Sequence, residues 1–291
     1  MMKNKILKKI KEPVICWWSG GVTSAVACKL TIDFFGKNNC KVIFIDTRNE
    51  DDDTYRFKDD CSKWYELEIE SISSKTRSTI QEVWEDGLYL NVAGGAPCSS
   101  QLKKMVREYW ERRNSWSYQV FGFELSEWKR AKSLLINHSH TNPIFPLMMF
   151  GLTKEDCIKI IQESGLEIPR MYQYGFRNNN CFKTGCVQGG IGYWQKMKKD
   201  FPDKFNTMAE MEHKLTDKKG SPVTMLKDQS KKGGLVFLKK HKDYPDIKEI
   251  SEMRGREVKP LVECNGLCGV NDLSDRNPTE KELNNYQQEL F

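Results

Sequence analysis

The apolar run Val14-Ile15-Cys16-Trp17-Trp18 enters Ser19-Gly20-Gly21, after which Ala25, Val26, Leu30 and Phe34 recur at helical spacing. Such a pattern restricts the chain to a buried strand, a tight turn and a helix packed back on the strand. The first turn of a helix carries backbone N–H groups with no partner inside the helix, at the positive end of its dipole. Here they face the glycine pair, which places no side chain in the way of an anion. Ser19, Thr23 and Ser24 add hydroxyls to the same concavity. A phosphate is the ligand this arrangement suits. An ordinary strand–turn–helix with two glycines has the same local pattern, so the remainder of the chain decides between them.

Lys41-Val42-Ile43-Phe44-Ile45 reads as a second buried strand ending at Asp46-Thr47. Strand, helix and strand imply a right-handed parallel crossover, and ligands in such sheets bind beyond the carboxyl ends of the strands. Asn49 to Asp53 form an acidic cluster past that edge, suited to Mg²⁺ beside phosphates or to a simple helix start. Tyr55 to Trp64 predicts a helix. Leu67 and Ile69 alternate with glutamates as a half-exposed strand, and Tyr118 to Phe123 forms a fourth strand. The expected fold is α/β, a doubly wound, mostly parallel sheet with a smaller, mainly helical, cysteine-containing C-terminal region.

Residues 1–150 are expected to form the nucleotide-binding α/β domain and 151–216 a helical, cysteine-containing extension. Residues 217–291 form a basic linker and a terminal segment with Cys264 and Cys268. Within this plan Ser99 or Ser100 caps a helix after the Gly94-Gly95 loop, and Asn142 to Leu147 is an extended, proline-punctuated link. Thr153 and Asp156 form a capping box, and one helix spans Gly190 to Leu215. Asp217 to Gly234 reads as a loose linker and Leu235 to Leu238 as a strand. No stretch approaches the about 18 apolar residues of a membrane span, and the basic start lacks an apolar signal core, so a cytoplasmic location is expected. Between Lys196 and Lys259 stand 17 Lys/Arg against 11 Asp/Glu, a surplus equal to the whole net charge of +6. That segment suits either a solvated lysine-rich face or a nucleic-acid partner.

Several landmarks follow in one order. They are Ser-Gly-Gly-x-x-Ser at Ser19 to Ser24, Asp46-Thr47, Cys98 with Lys103, and Gly122 with Glu127-x-x-Arg130. Pro146-Leu147 and Pro169-x-x-Tyr172-x-x-Gly175 then lead to Cys181 and Cys186. This order resembles the PP-loop superfamily of ATP pyrophosphatases and phosphoadenosine phosphosulfate (PAPS) reductases, over roughly residues 13–190. Thr23 stands where many PP-loops carry Asp. The resemblance implies that Ser19, Gly20, Gly21, Val22, Thr23, Ser24, Asp46, Thr47 and Gly122 bind ATP or a related adenine nucleotide with Mg²⁺. It also implies that Lys103 and Arg130 neutralise charge during attack at the α-phosphorus.

Ten cysteines in a chain of this size point to metal, redox chemistry or buried thiols rather than a disulfide framework. Cys16, Cys28, Cys40 and Cys157 lie in apolar patterns and read as buried small hydrophobes. Cys61 is left open. Relatives with a [4Fe–4S] cluster carry a Cys-Cys tandem and a later Cys-x-x-Cys. Here Ser99 replaces the second tandem cysteine and the later pair is Cys181 and Cys186. A cluster or Zn²⁺ on Cys98, Cys181 and Cys186 needs a fourth ligand, for which Cys268 or Cys264 is available. Glu263-Cys264-Asn265-Gly266-Leu267 also resembles the thiol-bearing tail of PAPS reductases, with Asn265 inserted and no His.

Three functions are therefore expected to compete. The first is an adenylating, pyrophosphate-releasing enzyme coupled to sulfur transfer onto tRNA or DNA. The second is a sulfonucleotide reductase using Cys264, and the third a nucleotide- or nucleic-acid-binding module without turnover. Trp17-Trp18 suit either adenine stacking or strand core, and His138 and His140 read as surface residues.

Overall fold

Strand β1 (Val14–Trp18) is apolar at every position because it is buried on both faces. The computed structural model describes residues 10–91, 95–230 and 234–259. Around β1 lie β2 (Cys40–Ile45), β3 (Ile69–Ile72), β4 (Tyr118–Val120) and β5 (Pro143–Ile144), in the order β3-β2-β1-β4-β5. Every pairing is parallel, with Val14 opposite Cys40 on one side and Tyr118 on the other. The chain winds outward from β1 to β3 and then crosses back to β4. The crevice beyond the carboxyl end of β1 is therefore the switch point where doubly wound sheets bind ligands.

Alternation along β1 serves two layers. Val14, Cys16 and Trp18 enter a core with residues of the helices Val22–Phe35, Asp52–Tyr65 and Lys154–Glu163. Ile15 and Trp17 face Phe121, Phe123, Phe145 and the helix Trp128–Asn137 on the other side. A third core joins Trp84, Leu90, Cys98 and Leu102 to the helices Ile191–Asp200 and Pro202–Lys219. No helix among the described residues is long and apolar enough to cross a membrane.

The doubly wound parallel sheet is as expected, and several local readings change. Asn142 to Leu147 contains the fifth strand, β5, where Pro143 is tolerated because an edge strand needs fewer ladder donors. The helix expected from Gly190 to Leu215 is two helices, divided at Phe201 by Pro202, which cannot donate to the preceding turn. Asp217 to Gly234 is not wholly a linker. Its first three residues finish the helix Pro202–Lys219, and it also holds β6 (Leu226–Lys227). Strand β6 pairs antiparallel with β7 (Leu235–Phe237), which runs parallel to β8 (Lys248–Glu249). Neither Ser99 nor Ser100 caps a helix. Pro97 opens a helical run over 97–111 that includes a π-helical turn, Ser100–Lys104. The capping box of Thr153 and Asp156 forms as read.

Glu212, fully buried on Pro202–Lys219, accepts the N–H groups of Met225 at 2.9 Å and Leu238 at 2.7 Å. It thereby fastens the small sheet to the helix. Burial pushes its carboxyl up to about 8 despite those two donors. The native state then holds a proton that the unfolded chain has released, so this contribution is present at low pH and is lost as pH rises through about 8. The melting temperature should fall between pH 5 and 8, and Glu212→Gln should flatten that slope. Glu212→Ala strands two buried N–H groups, at roughly 1–3 kcal/mol for each, measurable by urea denaturation.

Candidate active site

At the end of β1 the chain turns through Ser19 and Gly20, whose φ of 86° is a left-handed geometry that glycine adopts without strain. A Cβ on Gly20 would also stand 2.8 Å from the Thr54 methyl. Ser24 closes the turn: its hydroxyl accepts from the Ser19 N–H and hydroxyl, each at 3.0 Å, and donates to the Gly21 carbonyl at 2.9 Å. The N–H of Val22 donates to the Tyr172 hydroxyl at 3.3 Å. Thr23 is buried, and its hydroxyl has no protein partner. Two residues past β4, Gly122 backs directly onto the loop, where a Cβ would lie 2.6 Å from Ser24 Cα and 2.7 Å from its nitrogen. Only a residue without a side chain permits that approach.

Asn179, fully buried, was not anticipated. Its amide nitrogen donates to the Gly20 carbonyl at 2.9 Å and to the Thr54 hydroxyl at 3.0 Å, while its Oδ1 has no partner. The neighbouring Asn180 amide is buried with neither polar atom paired. The Asn178-Asn179-Asn180 run was the available signal, since three successive buried amides are unusual.

Asp46 lies past β2, its Oδ1 accepting from the Arg48 N–H at 2.7 Å and the Tyr55 hydroxyl at 2.9 Å. The acidic cluster next to it resolves as a helix start and does not fit a Mg²⁺ site. Asp51 caps Asp52–Tyr65 and pairs with Arg170 at 2.7 Å and Lys204 at 3.3 Å. Asp53 is held below the ordinary carboxylate range by Arg56 and the Arg170 N–H, which outweigh its desolvation. Glu50 is enclosed: it accepts from the Thr47 hydroxyl and the Cys181 N–H, both at 2.9 Å, and lies 3.8 Å from Lys103.

Cys98, Cys181 and Cys186 come together around one cavity of about 10 Å³, the room of one water, shared with Thr47, Ser99 and Lys103. Cys181 has a φ of 62°, and Gly185, at 95°, turns the chain so that its N–H reaches the Cys181 carbonyl at 2.9 Å. The Cys186 N–H donates to the Tyr193 hydroxyl at 3.0 Å. Burial pushes the Cys98 thiol up to about 12, with the Cys181 sulfur adding to it and Lys103 opposing. Cys181 is raised chiefly by burial and then by Glu50. Neutral thiols are poor nucleophiles and poor ligands alike, since both roles require the thiolate, so burial keeps Cys98 and Cys181 unreactive. The Ser99 hydroxyl beside them is unpartnered, but the three sulfurs do not all lie within 4.8 Å of one another and the space among them holds one water, so the trio is not a preformed site for a single metal ion. The one trio of metal-ligating atoms converging within 4.8 Å among the described residues is elsewhere, at Asp217, His241 and Asp243. There both nitrogens of His241 are engaged, with Asp217 and the Asp243 N–H.

Arg130 pairs with Glu127 and lies 4.4 Å over the Phe123 ring, at the end of the sheet near Gly122. Trp17 and Trp18 are core residues, not an adenine platform: Trp17 donates to Gln119 at 2.7 Å, and Trp18 is packed against Phe44 and Phe57. Cys16, Cys28, Cys40, Cys61 and Cys157 are all buried. Cys264 and Cys268 lie outside the described residues.

A glycine-built anion cradle at the switch point of a parallel sheet defines a nucleotide-binding PP-loop protein. The sequence matches the family described as phosphoadenosine phosphosulfate reductase domain over residues 13–187, and the chain belongs to that family. It is 26% identical over 200 residues to an uncharacterized protein of Methanocaldococcus jannaschii, covering 67% of this chain and 40% of that one. The alignment thus spans well under half of that relative's length. Among solved structures, a PAPS reductase from Candida auris in complex with phosphate aligns with 15% identity and a TM-score of 0.45, over 62% of this chain and 86% of that one. An NH₃-dependent NAD synthetase from Campylobacter jejuni aligns with 13% identity and a TM-score of 0.40, over 74% and 87%.

Gly122→Ala should push the Ser24 turn away and weaken adenine-nucleotide binding at least tenfold while leaving the far-ultraviolet circular dichroism intact. Equal affinity, measured by titration calorimetry, would show that the loop tolerates displacement.

Proposed function

We propose that this chain binds ATP or a closely related adenine nucleotide by its phosphates on Ser19 to Ser24 and promotes attack at the α-phosphorus. An acceptor oxygen forms the new bond to phosphorus, the bond to the bridging oxygen breaks, and pyrophosphate leaves with that electron pair. A sulfide-level donor then displaces AMP from the adenylated acceptor, leaving sulfur in place of oxygen. The observation that carries the reading is the juxtaposition, through Thr47 and Glu50, of the strand end beside the phosphate loop with a buried three-cysteine cavity.

In this reading Ser19 and Ser24 shape the cradle, and the Thr23 hydroxyl and loop N–H groups receive the phosphates. Gly122 and Asp46-Thr47 border the nucleoside side, and Mg²⁺ arrives with the nucleotide. Lys103 and Arg130 offset the charge that builds on the departing pyrophosphate. Cys98, Cys181 and Cys186, completed by Cys268, would hold a [4Fe–4S] cluster or Zn²⁺, supplying a thiophilic centre for the sulfur donor. The acceptor is a nucleic acid, tRNA or DNA, for which the lysine-rich last third offers counter-charge.

Pyrophosphate release from ATP, stimulated by tRNA or DNA and lost in Ser24→Ala, is the expected outcome. Sulfite formation from PAPS, abolished by Cys264→Ser, would replace this reading with a reductase. Tight nucleotide binding with neither product would leave a binding module. Anaerobic purification should yield a protein carrying iron or zinc, with the content falling severalfold in Cys181→Ser. Metal-free wild-type protein would remove the ligand role of the trio.

A further inference from the structure

The helical run 97–111 has two working faces. Cys98, Ser99 and Lys103 line the thiol cavity, whereas Gln101, Met105 and Tyr109, four residues apart, line a separate cavity of about 300 Å³. Its opposite wall is the segment Ser73 to Thr76 that follows β3, and Arg113 and Asn114 close one end. A nucleobase with its ribose is of this size.

Three observations identify the kind of occupant. Met105 and Tyr109 are 55% and 41% exposed and are two of the five exposed large hydrophobics among the described residues. The Arg113 guanidinium lies 3.6 Å from the Tyr109 ring centre and the Lys75 ammonium 5.5 Å from it. The lining contains those two cations and no carboxylate, and neither cation forms an ion pair among the described residues. An aromatic ring with cations beside it, and hydroxyls and amides on facing walls, suits a planar base joined to a phosphate. A protein partner would more often meet a closed apolar patch. Arg112, which caps the end of the helical run, adds positive charge beside Arg113, whereas Lys104 on the run is paired with Glu108 at 3.9 Å.

We propose that this cavity is a binding site for one nucleotide of a single-stranded nucleic acid, separate from the phosphate loop. This rests on the reading that the acceptor is a nucleic acid, and it moves the main contact from the lysine-rich last third to the far side of the cysteine-bearing helix. About one helix diameter, roughly 10 Å, then separates the bound base from the thiol cavity.

The test is fluorescence anisotropy of labelled 12-nucleotide single strands, RNA and DNA, with the full-length protein over a range of salt. Binding of a fluorescent ATP analogue at the loop is read in parallel. Tyr109→Ala should weaken oligonucleotide affinity about tenfold, and Tyr109→Phe, which keeps the ring, should restore it. Replacing Lys75 and Arg113 together by alanine should reduce the slope of log affinity against log salt by about 1.4, as expected for two phosphate contacts on a single strand. The ATP analogue should bind all variants as it binds wild type. Oligonucleotide affinity indifferent to Tyr109→Ala and to the double replacement would overturn the proposal. So would absence of oligonucleotide binding, or displacement of the oligonucleotide by stoichiometric AMP. Oligonucleotide binding that depends on Tyr109 in a protein that fails to bind the ATP analogue would uphold this site while removing the proposed function.

Discussion

The buried carboxylate of Glu50 joins the parts on which this site depends. A carboxylate removed from water is costly unless its oxygens are matched, and here one meets the Thr47 hydroxyl and Lys103 while the other takes the Cys181 N–H. Those partners come from the end of β2, from the cysteine-bearing helical run and from the turn that carries Cys181. Asn49 adds hydrogen bonds between the strand end and the cysteine turn, donating to the Thr184 hydroxyl at 2.8 Å and accepting from the Lys183 N–H at 3.1 Å, but it does not reach Lys103 on the helical run. With Glu50, the Cys181 backbone is held in its left-handed conformation beside the strand end, and Lys103 is drawn into the interior.

A second set of constraints fixes the phosphate loop. Gly122 lets β4 touch the first turn of the helix, Gly20 lets the chain pass Thr54, and Asn179 binds the Gly20 carbonyl from the far end of the sequence. Because Asn179 precedes Cys181 by two residues, the loop and the thiol cavity are tied through a single short segment as well as through Glu50. Thr23 keeps an unpartnered hydroxyl where the resemblance leads one to expect a carboxylate. A neutral hydroxyl does not repel phosphate as a carboxylate would, so at this position the cradle carries no anionic group.

What was legible in the sequence was local. The apolar run, the glycine pair and the helical period of residues 14–35 each depend on neighbours in the chain, and they predicted β1, its turn and its helix. Edge and boundary readings failed where tertiary context overrode them. Pro143 joins a strand because β4 offers a partner, and Phe201-Pro202 breaks a helix whose hydrophobic period continues across it. The acidic cluster could not be assigned from composition, since its role rests on Arg170 and Lys204, far along the chain. Asn179 was invisible for the same reason, its partners Gly20 and Thr54 lying more than 120 positions away, and the enclosure of Glu50 likewise depends on Lys103 and Cys181 from distant segments.

The charge balance of the thiol cavity bears on its chemistry. Lys103 and Glu50 form one buried pair, so the cavity is electrically neutral while its thiols are protonated. Removing a proton from Cys98 or Cys181 would leave an uncompensated anion in a site that already resists it, as the upward shift of both thiols expresses. Lys103 alone does not offset that charge, because Glu50 already draws on it. A thiolate therefore becomes favourable there only when further positive charge enters, as a thiophilic cation would supply. Buried in this way, Cys98 and Cys181 stay protonated and are protected from oxidation, which acts on accessible thiolates.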